Sequence, residues 1–301
     1  MEKEELIIVK AGTDSISQDE GSVLDHEAIG RIAEDLYDLL GRSILVSSAS
    51  IAAGTEALGW DNRPGNDEAI MQQIASARGN RSLFEAWEAE LRKHAEEDGG
   101  LSIPSVLEML VTKRELDEKE TWDNVSTVVA TALEFGELLP GFNDNDVVSP
   151  EELFQTLKAN GSERTERFGD NDQLAMQLAV KIGAFALSHA HQQTRLVLIT
   201  DVDGVLEDKD RPDSLVKEVS YKDANMLHDF VVEDPNKKSS RGGMHSKIDA
   251  AIEATSAGIT TVIASNHHSN PVHRAIAGES GTTIQAATTA EVLAVDQTAN
   301  R

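Results

Sequence analysis

Short β-branched runs, each closing on glycine or small polar residues and each followed by helical periodicity, constrain this chain more than any other feature. Leu6-Ile7-Ile8-Val9 leads into Lys10-Ala11-Gly12-Thr13, Ile44-Leu45-Val46 into Ser47-Ser48-Ala49-Ser50 and Ala52-Ala53-Gly54, and Leu196 to Thr200 into Asp201. Brief apolar runs without polar alternation suit strands buried on both faces, and parallel strands need crossovers, which the helical stretches supply. The pattern predicts a single α/β domain over 1–301, an open, mainly parallel sheet sandwiched by helices, with 287–301 a loose tail. Ligands of such sheets bind at the carboxyl ends of the strands, where the polar clusters fall.

Asp25 is a good N-cap for a helix in which Ile29, Ile32, Ala33, Leu36, Leu39 and Leu40 recur at helical spacing. Further helices are predicted over 66–97, 118–135, Asp170 to Leu187 and Met244 to Ser256, the last with Gly258 as its C′ residue. Strands are predicted over 105–111, up to Phe142, and from Thr260 to Ala264; the one ending at Phe142 stops at Asn143-Asp144-Asn145-Asp146.

Composition removes several function classes. With 301 residues, 40% hydrophobic and 27% charged, the chain can bury a sizeable core, and its length allows one large α/β domain or two small ones but no larger multidomain assembly. Its apolar runs fall short of the roughly 20 residues of a membrane span, and the acidic start Met1-Glu2-Lys3-Glu4-Glu5 is unlike a signal peptide, so a cytoplasmic protein is expected. Zero cysteines exclude disulfides, thiolate nucleophiles and Cys-ligated zinc. A formal charge of −26 argues against a nucleic-acid or anionic-membrane partner. It suits solubility, or a salty cytoplasm in which a Debye length of about 3 Å at 1 M screens self-repulsion. An anionic substrate would then need local lysines and glycine-rich turns.

Lys10 at a strand end beside Gly12 allows close backbone approach and offers an ammonium to an anion, although a lysine capping a strand edge reads the same way. Arg241-Gly242-Gly243-Met244-His245-Ser246-Lys247 opens a helix with free N–H groups and a lysine in its first turn, suited to a phosphoryl group in flight; a linker before a helix is the plain alternative. Neither a Walker A loop nor Gly-x-Gly-x-x-Gly is present. Phe168-Gly169-Asp170-Asn171-Asp172 can be an N-cap cluster, but carboxylates facing Lys10 and Lys247 would hold those ammonium groups in place. Asp201-Val202-Asp203-Gly204 matches the Asp-x-Asp-Gly signature of haloacid-dehalogenase-like phosphatases, with Asp201 as nucleophile. Those enzymes usually carry it on the first strand and add a late acidic pair, which has no counterpart here. His189, His191, His267, His268 and His273 read as solvated positions, the last three in a polar loop.

Taken in order, Val9 to Thr13, Ser47 to Gly54, Asn143 to Asp146, Phe168 to Asp172, Thr200 to Gly204 and Gly242 to Lys247 resemble the glutamate 5-kinases of the amino acid kinase superfamily, over about residues 5 to 285. Gln72 to Leu91 and Met109 to Asn124 resemble the intervening segments. The resemblance implies ATP-dependent phosphorylation of the γ-carboxylate of L-glutamate, the first step toward proline, by a homo-oligomeric enzyme using Mg²⁺ held mainly through the ATP phosphates. It implies that Lys10 and Lys247 stabilise the transferring phosphoryl group and that Asp172 organises both. Ser48, Ala49, Asp146 and Asn171 would hold the amino acid. Lys10, Gly12, Thr200, Asp201, Gly242, Gly243, Met244 and Lys247 would lie on the nucleotide side.

The chain departs from that pattern at Ala11, at Asp144 where Glu is common and at Ala49 where glycine is usual, and is expected to lack the RNA-binding-like domain many bacterial members carry. Kinases acting on N-acetylglutamate, aspartate or another carboxylate are the runner-up. A silent regulatory domain is disfavoured because Lys10, Asp172 and Lys247 are all retained. A Cβ at residue 49 would either shift the turn to an ordinary conformation or push the acid outwards, weakening glutamate binding.

Overall fold

The computed structural model describes residues 5–65, 68–100, 103–148, 171–189, 193–208, 210–231, 243–288 and 290–292, with backbone alone over 185–189. In chain order these form β1 (Leu6–Ala11), α1 (Thr13–Ile16), the small hairpin β2 (Ser17–Gln18) and β3 (Val23–Leu24), α2 (His26–Asp38), β4 (Ser43–Ser47), α3 (Ser50–Ala57) and α4 (Ala69–Glu97). There follow β5 (Ser105–Val111), α5 (Lys113–Asp117), α6 (Lys119–Phe135), β6 (Leu138–Asp144), α7 (Asn171–His189) and β7 (Thr194–Thr200). The described residues close with β8 (Glu218–Ser220), α8 (Met244–Ser256), β9 (Thr260–Ser265), α9 (Pro271–Ile276) and β10 (Thr282–Gln285).

Eight strands make one sheet in the order β5-β6-β4-β1-β7-β9-β10-β8, parallel except where β10 runs against β9. β1 lies centrally between β4 and β7, with Lys10 in register with Val46 and Leu198. Strand alternation decides what reaches which face. Ile7, Val9 and Ala11 join the core under α2, α3 and α4 with Ile29, Ile32, Ala52, Leu83 and Trp87. Leu6 and Ile8 join the opposite core with Leu174 and Leu178 of α7 and Ile248 and Ala251 of α8. Two residues beyond Ile8, Lys10 is delivered to that second face.

Asp25 caps α2, accepting from the Ala28 amide at 2.9 Å, and Gly258 follows α8 at φ 89°. The stretch predicted as a helix over 118–135 is preceded by a separate turn, α5, closed by a Thr112–Glu115 capping box. The sheet's far edge, β8 and β10, has no counterpart in the sequence prediction. His273 sits in α9 rather than in a polar loop. Asp35 of α2 caps α9 from a distance, accepting from the Val272 amide at 2.7 Å and the His273 amide at 3.3 Å. The predicted tail begins tethered: the Ala287 amide donates to the Thr255 carbonyl at 2.8 Å and Glu291 pairs with Lys222 at 2.5 Å. Residues 293–301 lie outside the described residues.

Candidate active site

The carboxyl ends of β1, β4, β6 and β7 deliver the residues expected to act, and α7 and α8 come to meet them. Asp172, in the first turn of α7, is fully buried. Its Oδ1 lies 2.6 Å from Lys10 Nζ and its Oδ2 3.3 Å from Lys247 Nζ, both lysines being nearly buried as well. Burial alone would push this carboxyl upward. The two ammonium groups outweigh that and hold it below the ordinary aspartate range. Gly12 borders it: a Cβ there would stand 3.3 Å from Lys10 Nζ and 3.4 Å from the Ile199 carbonyl.

Ala49 occupies the turn between β4 and α3 at φ 77°, ψ 16°. The turn therefore keeps the left-handed geometry natural to glycine, and the alanine carries the strain. The alternative that the turn would shift to an ordinary conformation does not hold. Next to it, the Ser48 amide donates to the Ala11 carbonyl at 2.9 Å, tying β4's end to β1's. Ser48 Oγ accepts from Asn171 Nδ2 at 3.1 Å. Asp146 Oδ2 accepts from Ser76 Oγ at 2.5 Å, and its carbonyl accepts from Gln73 Nε2 at 2.9 Å.

On the other flank, the Thr200 carbonyl accepts from the Asn266 amide at 3.0 Å, the Asp201 carbonyl lies 2.9 Å from His267 Nε2, and His268 pairs with Asp203 at 3.3 Å. Thr200 and Asp201 thus belong to the β7–β9 edge of the crevice. Gly243 is the exposed N-cap of α8 and Met244 its half-buried first residue. Gly242, Phe168 to Asp170 and His191 lie outside the described residues, as does the His189 side chain.

Gln73, Ser76 and Asn80 of α4, and the role of Asn143, were not anticipated. The available signal is that Gln73, Ser76 and Asn80 interrupt the helical series Ala69, Leu83, Trp87 on a face that is buried. Polar residues in the middle of a core stripe need partners, and here they come from Asn143 at the end of β6, Asp146 just beyond it and Ser50 of α3.

A buried carboxylate clamped between two lysines thus lies at the carboxyl edge of the parallel sheet, where ligands of open α/β sheets bind. The model of the amino acid kinase family matches residues 5–265, and the chain belongs to that family. Within it, the chain is 32% identical over 295 residues to glutamate 5-kinase of Paraburkholderia phytofirmans, spanning 97% of this chain and 70% of that protein. It is 31% identical over 297 residues to the glutamate 5-kinases of Burkholderia mallei strains, with the same coverage. Among solved structures, carbamate kinase from Giardia lamblia bound to AMP-PNP shares the fold, with TM-score 0.58, 15% identity and coverage of 95% of this chain and 99% of that one. Isopentenyl phosphate kinase of T. acidophilum does so with TM-score 0.53, 14% identity and coverage of 93% and 100%.

Proposed function

We propose that this chain transfers the γ-phosphoryl group of ATP to the γ-carboxylate of L-glutamate, forming glutamyl 5-phosphate and ADP in the first step toward proline. The observation that carries the reading is the pair Asn171 and Asp172. These consecutive residues of α7 serve two halves of one reaction: Asn171 reaches Ser48 at 3.1 Å on the amino-acid side, while Asp172 holds Lys10 and Lys247 on the phosphoryl side. The relatives named above supply the substrate.

The chemistry needs little from the protein beyond positioning and charge. A free glutamate side chain, with a pKa of about 4.3, is already ionised at neutral pH. One carboxylate oxygen forms the new bond to the γ-phosphorus, the bridging P–O bond breaks, and ADP leaves with its electron pair. No proton is moved, which accords with a site built from lysines instead of a histidine base. The barrier to overcome is repulsion between an anionic acid and a polyanionic nucleotide, and Lys10 and Lys247 meet it at the point of transfer. Mg²⁺ enters as part of the ATP complex. Gly12 leaves room for the Lys10 ammonium, and Thr200, Asp201, Gly242, Gly243 and Met244 border the nucleotide in this reading.

The test is ADP formation by purified protein with Mg²⁺ and ATP across glutamate, aspartate and N-acetylglutamate, with hydroxylamine trapping the acyl phosphate. Glutamate-dependent ADP and a γ-hydroxamate are expected. Turnover confined to another acid, or equal ATP consumption without any acid, would overturn the assignment.

A further inference from the structure

One backbone amide fixes the orientation of three side-chain amides beneath the amino-acid side of the crevice. The Asp144 N–H can only donate, and it points at Asn171 Oδ1 at 3.2 Å and Asn143 Oδ1 at 2.9 Å. Asn171 must therefore turn its Nδ2 away, toward Ser48 Oγ at 3.1 Å and Asn143 Oδ1 at 2.8 Å. Asn143 in turn presents Nδ2 to Asn80 Oδ1 at 2.7 Å. Asn80 is left with its own Nδ2 facing Ser76 Oγ, the longest link at 3.5 Å, and the Ser76 hydroxyl donates to Asp146 Oδ2 at 2.5 Å. Ser50 Oγ, 2.9 Å from Ser76 Oγ, completes the group.

The chain is directional from Asn171 to Asp146 and is almost entirely buried: Asn143 is 1% exposed, Ser76 0% and Asn80 4%. Its two ends are chemically opposite. At one, Ser48 accepts from Asn171, so its own O–H is left to donate, which suits an anionic group. At the other lies a carboxylate, which suits a cationic one.

We propose that Asn80 and Ser76 are positioning residues that set this polarity and so select an acceptor carrying a free α-ammonium group as well as a carboxylate. The inference rests on the glutamate-kinase reading. Neither residue meets substrate; each acts through Asn143 and Asp146. Dicarboxylates lacking the ammonium group lose the Asp146 end and gain nothing in return.

The experiment compares wild type, Ser76→Ala and Asn80→Leu with glutamate and with glutarate, which lacks the α-ammonium, by hydroxamate formation. Ser76→Ala removes the nearer donor to Asp146, leaving Ser50 Oγ at 3.5 Å, together with the hydroxyl that Asn80 Nδ2 faces; KM for glutamate is expected to rise about tenfold, with KM for ATP unchanged. The glutamate-over-glutarate ratio of kcat/KM should fall by a similar factor. Asn80→Leu keeps the side-chain shape, cuts the relay in the middle and should lower the ratio at least as far. A merely structural role would lower thermal stability without changing that ratio. Ratios within twofold of wild type in both variants overturn the relay while leaving glutamate phosphorylation standing, and if Asn80→Leu does not fold, Ser76→Ala decides alone. Absence of glutamate-dependent turnover in wild type overturns the functional reading and the relay with it.

Discussion

Lys10 Nζ stands 2.6 Å from Asp172 Oδ1, joining the end of the central strand to the first turn of a helix from the other half of the chain. Lys247 reaches the same carboxylate from a third element. Each lysine keeps a buried counter-charge if the other is removed, so the single lysine variants test chemistry more cleanly than fold. Lys10→Ala and Lys247→Ala are each expected to reduce turnover about 10²- to 10³-fold, the usual cost of one well-placed donor to a transition state. Circular dichroism should be unchanged in both. A folded Lys247→Ala enzyme with near-normal kcat would remove the role assigned to it.

Asp172→Asn is a different case, because it leaves two nearly buried ammonium groups without their carboxylate. Breaking a buried pair in this way costs about 3–5 kcal/mol. The Asp172 carboxyl is depressed below its unfolded value of about 3.9, so its contribution is complete above that pH and is lost as pH falls through the folded value. The stability gap between wild type and Asp172→Asn should be constant from pH 7 to about 4 and close below that. Urea melts across pH 3 to 7 measure it, and a gap that closes between pH 6 and 5 would contradict the clamp.

Ala49 holds a left-handed conformation at φ 77° with its methyl group buried in the core. Glycine would relieve about 1–2 kcal/mol of backbone strain and give up about 0.8 kcal/mol of methyl burial. Ala49→Gly is therefore expected to be as stable as wild type or up to about 1 kcal/mol more so, with KM for glutamate lowered and kcat held. Ala49→Val adds β-branching in that region and should be clearly destabilised. Thermal melts of the two variants, with glutamate kinetics of Ala49→Gly, check both statements.

Gly12 has an unstrained backbone at φ −77°, ψ 157°, so any effect of adding a methyl group is steric. The new Cβ would press on Lys10 Nζ, 3.3 Å away. Gly12→Ala should lower turnover by about tenfold or more while leaving the melting temperature within a few degrees. A large loss of stability with normal kcat would show that the ammonium moves aside freely.

Gly79 of α4 packs where α3 crosses it, and a Cβ there would lie 1.8 Å from the Ser50 carbonyl. Since backbone cannot yield as a side chain can, Gly79→Ala should cost about 3 kcal/mol or more. Ser50 and Ser76 meet at the same crossing, so any protein that folds should bind glutamate more weakly. Chemical denaturation and glutamate KM report the two effects.

The sequence by itself determined the buried parallel strands, the helices between them and the sheet edge at which the polar clusters fall. Each of those signals is local: an apolar run, a 3.6-residue period, a cap such as Asp25, a glycine such as Gly258. Lys10, Asp172 and Lys247 each lie in a short motif with a plain structural alternative, and only the ordered resemblance to glutamate 5-kinases joins them into one set. The tertiary structure decided that Lys10 and Lys247 meet on the two oxygens of one buried carboxylate, since strand alternation and helix docking choose the face on which they meet. The same holds for β8 and β10, which are too short to carry a pattern of their own, and for α9, whose cap Asp35 comes from another helix. It holds most clearly for Gln73, Ser76 and Asn80. On α4 alone they read as breaks in an apolar stripe; opposite Asn143 and Asp146 they become hydrogen-bond partners, because the cost of burying a polar group is set by what lies across from it.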